Sequence, residues 1–166
     1  MIIAIDVDYK TDGAKAVGIL FSLPDETIHE TIIEHIDDVN NYESGKFYKR
    51  ELPCLQQVMN QVEQEKLSAV IVDGHVYVNN SGEFGLGAKL WETLDQKIPV
   101  IGVAKNSFES NKQMVREIFR SQSKKPLYIS SIGVPLDEAV SLVLNMTGQY
   151  RMPDILKKVD TISKQP

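Results

Sequence analysis

The stretch Ala69-Val70-Ile71-Val72-Asp73-Gly74 decides the fold, because four apolar residues in a row end abruptly at an acid and a glycine. A strand that is apolar on both faces is typical of a parallel sheet covered by helices on both sides. Residues 99–104, Pro-Val-Ile-Gly-Val-Ala, repeat this pattern, and residues 87–95 between the two runs have helical spacing. The region therefore predicts two buried parallel strands joined by a helix.

Upstream of this region the chain has the pattern of three strands. Residues 2–9 alternate between faces, with β-branched residues on one side and the acids Asp6 and Asp8 on the other. Two further apolar runs, at residues 16–21 and 27–36, are separated by turn-forming residues. Three consecutive strands with short connections predict an antiparallel meander.

The other segments add helices around this sheet. Helical spacing is predicted at 46–64, 110–120, 136–146 and 154–163, with a short strand at 127–129. Three antiparallel strands followed by alternating helices and parallel strands is the order of an RNase H-like mixed sheet flanked by helices, and other mixed α/β folds share this order. Since no linker interrupts it, we expect a single domain over residues 1–166.

Composition and charge exclude several classes of protein. A lone cysteine, Cys54, rules out an intrachain disulfide and suits a reducing compartment. No signal peptide or membrane span is recognisable, so we expect a cytoplasmic protein that does not enter membranes. A net charge of −5 argues against broad, salt-driven coating of nucleic acid, although acids that bind metal would reverse the local potential.

Two acids lie where the pattern calls for apolar residues. Glu51 occupies the apolar stripe of the first helix, four residues after Phe47 and four before Leu55. A helix edge or a buried ion pair would also explain it. Asp73 ends the most hydrophobic strand, at the carboxyl edge where open α/β sheets bind ligands, and a turn or helix-capping aspartate is the alternative.

In the predicted sheet the first strand, the first helix and the fourth strand meet at one end, which would bring Asp6, Glu51 and Asp73 together. Carboxylates without a cysteine or histidine cluster select Mg²⁺, with Mn²⁺ as a substitute, rather than zinc. Such an ion orients a phosphate and lowers the pKa of a bound water. These acids therefore predict hydrolysis of phosphodiester bonds.

Five ordered blocks of the chain resemble the endonuclease V family, nucleases that cleave DNA or RNA near deaminated bases such as inosine. One block contains an Arg-Glu-x-Pro signature, and another is close to Gly-Val-Ala-Lys-Ser. The blocks are Ile5-Asp6-Val7-Asp8-Tyr9, Tyr42-Glu43-Ser44-Gly45-Lys46-Phe47-Tyr48-Lys49-Arg50-Glu51-Leu52-Pro53, Val72-Asp73-Gly74-His75, Ile101-Gly102-Val103-Ala104-Lys105-Asn106, and Tyr150-Arg151-Met152-Pro153 with Asp160.

The resemblance implies roles for individual residues. Asp6, Glu51, Asp73 and Asp160 would be metal ligands, and Lys105 would lie near the scissile phosphate. Tyr42 would act as a wedge that fills the gap left by a flipped base.

Further residues are candidates for substrate binding. Gly74, Gly85 and Gly133 would line a base pocket with their backbone, although ordinary turn glycines are the alternative. His75 would assist the leaving group or be a loop histidine. Asn79 falls where the family has basic residues, so it supplies hydrogen bonds without positive charge.

Two functions remain open at the level of sequence. The first is an active, Mg²⁺-dependent endonuclease, and the second is a non-catalytic homologue that binds nucleic acid or a protein. Lys112, Arg116 and Arg120 would share one face of the predicted helix at 110–120 and contact phosphates, or form a solvated face. We expect a monomer, with a weak dimer as the alternative.

Overall fold

The structure is a computed structural model that describes residues 1–37 and 48–166. Its elements follow the predicted order of three strands, a helix and then alternating segments. The strands are β1 (Ile2–Lys10), β2 (Gly13–Ser22), β3 (Thr27–Ile36), β4 (Ala69–Asp73), β5 (Val100–Ala104), β6 (Arg116–Ile118) and β7 (Leu127–Ile132). The helices are α1 (Tyr48–Met59), α2 (Leu86–Thr93), α3 (Leu136–Leu144) and α4 (Asp154–Lys164), with short 3₁₀ turns at Gln64–Lys66 and Glu109–Met114.

The strands form one mixed sheet in the order β3-β2-β1-β4-β5-β7-β6. The first three are antiparallel, and β1, β4 and β5 run parallel to one another. The predicted α/β class with a mixed sheet is therefore confirmed. In detail β7 differs from the simple alternation, because it runs antiparallel to β5 and pairs Val100 with Ile132.

Two hydrophobic layers cover the sheet. One contains Ile3 and Ile5 with the α1 residues Leu55 and Val58, and the other contains Ala4 with the α4 residue Val159. Strand alternation thus sends successive residues of β1 into opposite layers, as the sequence predicted. The acid Asp6 shares a face with Ala4 and is directed toward α4.

A glycine sets how closely α1 approaches the sheet. A Cβ at Gly18 in β2 would lie 2.6 Å from the Cγ1 of Val58, well inside contact distance. Only glycine lets the helix pack at this depth without displacing the strand. Because Glu51 lies in the first turn of the same helix, this close packing also helps to position that carboxylate.

The prediction of a helix at 110–120 was wrong. It consists of a 3₁₀ turn followed by the edge strand β6. Consequently Lys112, Arg116 and Arg120 do not share a helical face: Arg116 lies 2.7 Å from Asp137, while Arg120 is buried. In the part of the chain that the structure describes, no helix is long and apolar enough to cross a membrane.

Candidate active site

The acids Asp6 and Asp73 meet where β1 and β4 separate. The parallel pairing of these strands runs from Ile2 with Ala69 to Ile5 with Val72 and ends there. Asp6 and Asp73 are the next residues of each strand, on the face that packs against α4. Their carboxylates are therefore neighbours at the carboxyl edge of the sheet, where parallel strands characteristically bind ligands.

An open pocket of about 360 Å³, including the solvent at its mouth, lies between this edge and α4. Asp6, Asp73 and Lys105 contribute its polar wall from the sheet, and Asp160 contributes from α4. Met152 and Leu156 close its apolar side. The structure thus brings together four of the five residues predicted for metal binding and catalysis in a single pocket.

Electrostatic repulsion dominates this pocket. Burial, then the charge of Asp73 and the proximity of Asp160, raise the pKa of Asp6 to about 8. Asp73 stands at the mouth, reached by solvent but enclosed on its other sides. This enclosure raises its pKa, while Lys105 acts in the opposite direction. Lys105 and Lys164 offset only part of this repulsion, because the pKa of Asp73 stays raised.

Glu51 approaches the same edge from the α1 side. Its side chain is 5% exposed, and its Oε2 atom is buried without a hydrogen-bond partner. Burial, followed by the charges of Asp73 and Asp6, raises the pKa of Glu51 to about 8. Within residues 1–37 and 48–166, the alternative of a buried ion pair for Glu51 finds no support, because its Oε2 atom is unpartnered and the charges that act on it most strongly are those of Asp73 and Asp6.

The strand end and the helix start are joined by a close stacking contact. The guanidinium carbon of Arg50 lies 3.5 Å from the ring centroid of Tyr9. Arg50 precedes Glu51 in α1, and Tyr9 follows Asp6 by three residues in β1. This cation–π contact fixes the elements that carry the two carboxylates relative to each other.

The chemistry of the donor set decides which metal fits. Across residues 1–37 and 48–166, no three Asp, Glu, His or Cys side chains converge tightly enough to hold an ion as they stand. The unpartnered Oε2 of Glu51 and the buried carboxylates of Asp6 and Asp73 nevertheless offer oxygen donors to a cation. Oxygen donors suit Mg²⁺ or Mn²⁺ rather than zinc.

The side chain of His75 supports the loop after β5. Its Nε2 lies 2.8 Å from the carbonyl oxygen of Asn106, the residue after Lys105, and its ring lies 5.2 Å from that of Phe108. Burial lowers the pKa of His75, and its Nδ1 is buried without a partner. A neutral imidazole that donates to Asn106 therefore helps to hold Lys105 at the pocket.

Asn79 organises its own loop. Its side-chain oxygen accepts hydrogen bonds from the backbone N–H groups of Ser81 and Glu83, both at 3.1 Å. Its side-chain nitrogen donates to the Glu83 carboxylate at 2.8 Å. Substrate binding by this amide stays a prediction and would require these bonds to be exchanged.

The three candidate glycines lie at different places. Gly74 follows Asp73 with a φ of 141°, and Gly85 is buried at the start of α2 against the loop of residues 75–78. Gly133 instead follows β7, whose antiparallel course brings it beside Pro99 at the opposite edge of the sheet. Gly133 and Gly74 therefore lie at opposite edges of the sheet, and the predicted role of the three glycines in lining a base pocket stays a prediction. Tyr42 lies outside the described residues.

Sequence reasoning missed part of the pocket wall. Leu156 and Asp160 are four residues apart in α4, so helical spacing alone places the acid one turn beyond an inward apolar residue. That signal was available, whereas Asp160 entered only through the family resemblance. Met152 precedes the helix, and no periodicity indicates that it lines the pocket.

The fold and the site together define an α/β protein that gathers carboxylates and a lysine at the carboxyl edge of its central parallel strands. Comparison with known proteins identifies the family within this class. The chain belongs to the endonuclease V family, whose model matches residues 1–161. Membership of this family supports a nuclease.

Individual relatives agree with this assignment. Endonuclease V of Nostoc punctiforme is 27% identical, over 96% of this chain and 80% of the relative. A structure of human ENDOV has a TM-score of 0.79 at 24% identity and covers 98% of this chain and 82% of the human chain. Ciona intestinalis endonuclease V, solved with a 24mer DNA containing an inosine followed by a ribo-adenosine, has a TM-score of 0.84 at 18% identity, covering 98% of this chain and 83% of that chain. Both structural similarities show that this chain shares the fold of these proteins.

Proposed function

We propose that this protein is a divalent-metal-dependent endonuclease that hydrolyses phosphodiester bonds in DNA or RNA. The observation that carries the proposal is the meeting of Asp6, Asp73, Asp160 and Lys105 in one pocket, with the unpartnered carboxylate of Glu51 beside it. Structural acids are normally paired or solvated, as Asp160 is by Lys164 at 3.0 Å, whereas Asp6 and Glu51 are buried beside other carboxylates that raise their pKa. A site of this kind fits a bound cation and an anionic substrate.

The four acids would hold Mg²⁺, or Mn²⁺ as a substitute. The bound ion supplies activation of a water molecule and neutralisation of charge on the phosphate. Lys105 reaches the same pocket and offsets charge that develops on the phosphate oxygens. His75 holds the Lys105 loop through its bond to the Asn106 carbonyl and acts as a positioning residue.

The preferred substrate contains inosine or another deaminated base. This proposal rests on the family resemblance and on the inosine-containing DNA bound by the Ciona intestinalis relative. Gly74 borders the acids, and Tyr42 is the candidate wedge. We further propose that the enzyme is a cytoplasmic monomer with one domain over residues 1–166.

The experiment compares inosine-containing and unmodified oligonucleotides, single- and double-stranded, as DNA and as RNA, with Mg²⁺ or Mn²⁺. We expect a cut near inosine that requires the metal, with the cut position mapped on a sequencing gel. Equal cleavage of unmodified strands would remove the inosine preference and leave the nuclease. No cleavage in any combination by a chain that binds nucleic acid would establish the non-catalytic homologue instead.

A further inference from the structure

Two segments beside the pocket are free of acidic residues. Residues 119–126 contain Arg120, Lys124 and Lys125, and residues 145–153 contain Arg151, with no Asp or Glu in either segment. The chain as a whole has 23 acidic residues in 166 and a net charge of −5. Positive charge is therefore concentrated locally in a protein whose surface is otherwise acidic.

The buried side chain of Arg120 fastens the two segments together. Its NH1 donates to the carbonyl oxygens of Tyr150 at 2.8 Å and Arg151 at 3.1 Å, and its NH2 donates to that of Met146. Arg151 returns a bond of 3.2 Å to the carbonyl oxygen of Pro126. Both segments are thus held in a fixed relation, although each is a loop.

The fastened loops present aromatic rings and ammonium groups to solvent. Phe119 is 54% exposed and Tyr150 is 63% exposed, and the Nζ of Lys157 lies 4.9 Å from the Tyr150 ring centroid. Lys124 and Lys125 are exposed in the turn between β6 and β7. We name these five residues, Phe119, Lys124, Lys125, Tyr150 and Lys157, the basic platform.

The basic platform is continuous with the active-site pocket. Ala104 at the end of β5 pairs with Tyr128, so the turn of residues 119–126 projects from the same edge as Asp73. Strands β4 and β7 are two positions apart in the sheet, a separation of about 10 Å. On the other side of the platform, Met152 lies two residues after Tyr150 and lines the pocket itself.

Resting on the proposed endonuclease activity, we propose that the basic platform binds an unpaired strand of the nucleic-acid substrate beside the cleavage site. Exposed lysines meet phosphates, and exposed rings stack on bases that have lost their partners. The combination favours a single strand, because paired bases in a duplex do not offer their faces to Phe119 and Tyr150. The two segments themselves add no carboxylate to this surface, and the acids that border it are Glu26, which accepts a hydrogen bond from the N–H of Thr147, and Asp154 beside Gly148.

The test measures binding of a labelled single-stranded oligonucleotide, as DNA and as RNA, by fluorescence anisotropy with Mg²⁺. All chains carry Asp73→Asn so that the strand stays intact. The double variant Lys124→Gln/Lys125→Gln should raise Kd roughly tenfold at low salt and make the salt dependence of binding shallower. Phe119→Ser/Tyr150→Ser should raise Kd by a similar factor without changing the salt dependence.

The matched control is Lys66→Gln/Lys97→Gln, which removes the same charge at the opposite edge, just before β4 and β5. Its Kd should stay within about twofold of the parent. Equal affinities of the lysine variant and this control would overturn the proposal, as would a parent chain that binds neither oligonucleotide. In the cleaving parent, the platform variants should raise KM and leave kcat unchanged. If no chain cleaves, the endonuclease proposal fails while the anisotropy result still decides the platform.

Discussion

Arg120 and the acids at the carboxyl edge are buried charges that the fold satisfies in opposite ways. The guanidinium of Arg120 is 4% exposed and donates three hydrogen bonds to backbone carbonyls. Glu51 is buried to the same degree, yet its Oε2 has no partner and its strongest neighbours are other acids. A buried charge whose terminal nitrogens bond to backbone carbonyls serves the fold, even though the Nε of Arg120 has no partner, whereas a buried acid surrounded by like charge is available to a ligand.

The strongest test of this contrast is Asp73→Asn. The amide keeps the shape of the side chain but removes a charge that would bind metal, so we expect cleavage to fall by about three orders of magnitude. Cleavage rates at saturating Mg²⁺ measure this effect, and circular dichroism checks that the fold is kept. A pure sample of the variant that still cleaves at the parental rate would exclude Asp73 from catalysis.

Arg120→Met should reduce stability, whereas Asp73→Asn should reduce cleavage. It leaves three carbonyl oxygens without their donor, and we expect the free energy of unfolding to fall by about 3 kcal/mol. Urea denaturation measures the change, with exposed Arg116→Met as the matched control. A similar loss in both variants would show that the buried hydrogen bonds of Arg120 are not what stabilises the α3–α4 connection.

The metal-free protein should lose stability as pH rises. An acid whose pKa is raised by folding stabilises the folded state below the pKa of the unfolded chain, and this contribution disappears as pH passes the folded value. For Asp6 and Glu51 that window extends from about 4 to about 8. Thermal melts in a metal chelator from pH 5.5 to 9 should therefore show a falling Tm, and Mn²⁺ should flatten the fall.

Glu51→Gln measures how much Glu51 contributes to the loss of stability at high pH. Because the amide is neutral, the metal-free variant should be more stable than the parent at pH 8 by about 1 kcal/mol, and the advantage should vanish near pH 5. The same variant should gain less stability from Mn²⁺. If it is destabilised at both pH values, Glu51 serves the fold in the manner of Arg120.

The smallest expected effect concerns Tyr9. Its hydroxyl is buried without a hydrogen-bond partner, while its ring carries the stack with Arg50. Tyr9→Phe keeps the ring and should stabilise the protein by about 1 kcal/mol or leave it unchanged. Tyr9→Leu loses the stack and should weaken Mn²⁺ binding in calorimetry, and equal binding by both variants would assign the ring no part in holding Glu51.

The hydrophobic pattern of the sequence was enough to predict the strands that carry Asp6 and Asp73. Alternation located β1, and an uninterrupted apolar run located β4, so the meeting of Asp6 and Asp73 followed from strand order. The misplaced helix at 110–120 arose because Lys112, Arg116 and Arg120 have helical spacing, although tertiary contacts decide the backbone there. Spacing within a segment cannot reveal that Arg120 bonds to carbonyls 26 to 31 residues away.

The direction of a strand was equally hidden from local pattern. Residues 127–132, Leu-Tyr-Ile-Ser-Ser-Ile, fit a strand of either direction, so nothing in them indicated that β7 opposes β5. That single reversal carries Gly133 to the far edge and brings the turn of residues 119–126 to the active-site edge. The same reversal therefore separates Gly133 from Gly74 and brings Lys124 and Lys125 of the proposed basic platform to the edge that carries the acids.

The separation of β1 and β4 after Ile5 and Val72 has a consequence for how the protein can change over time. Asp6 and Asp73 are anchored in the two strands at the middle of a seven-stranded sheet, which open to solvent only when the domain unfolds. The residues proposed to contact substrate include exposed side chains of surface loops, such as Lys124 and Lys125, whose substitution disturbs few buried contacts. Preference for one nucleic acid can therefore drift by changes in these loops while the hydrolytic centre stays intact.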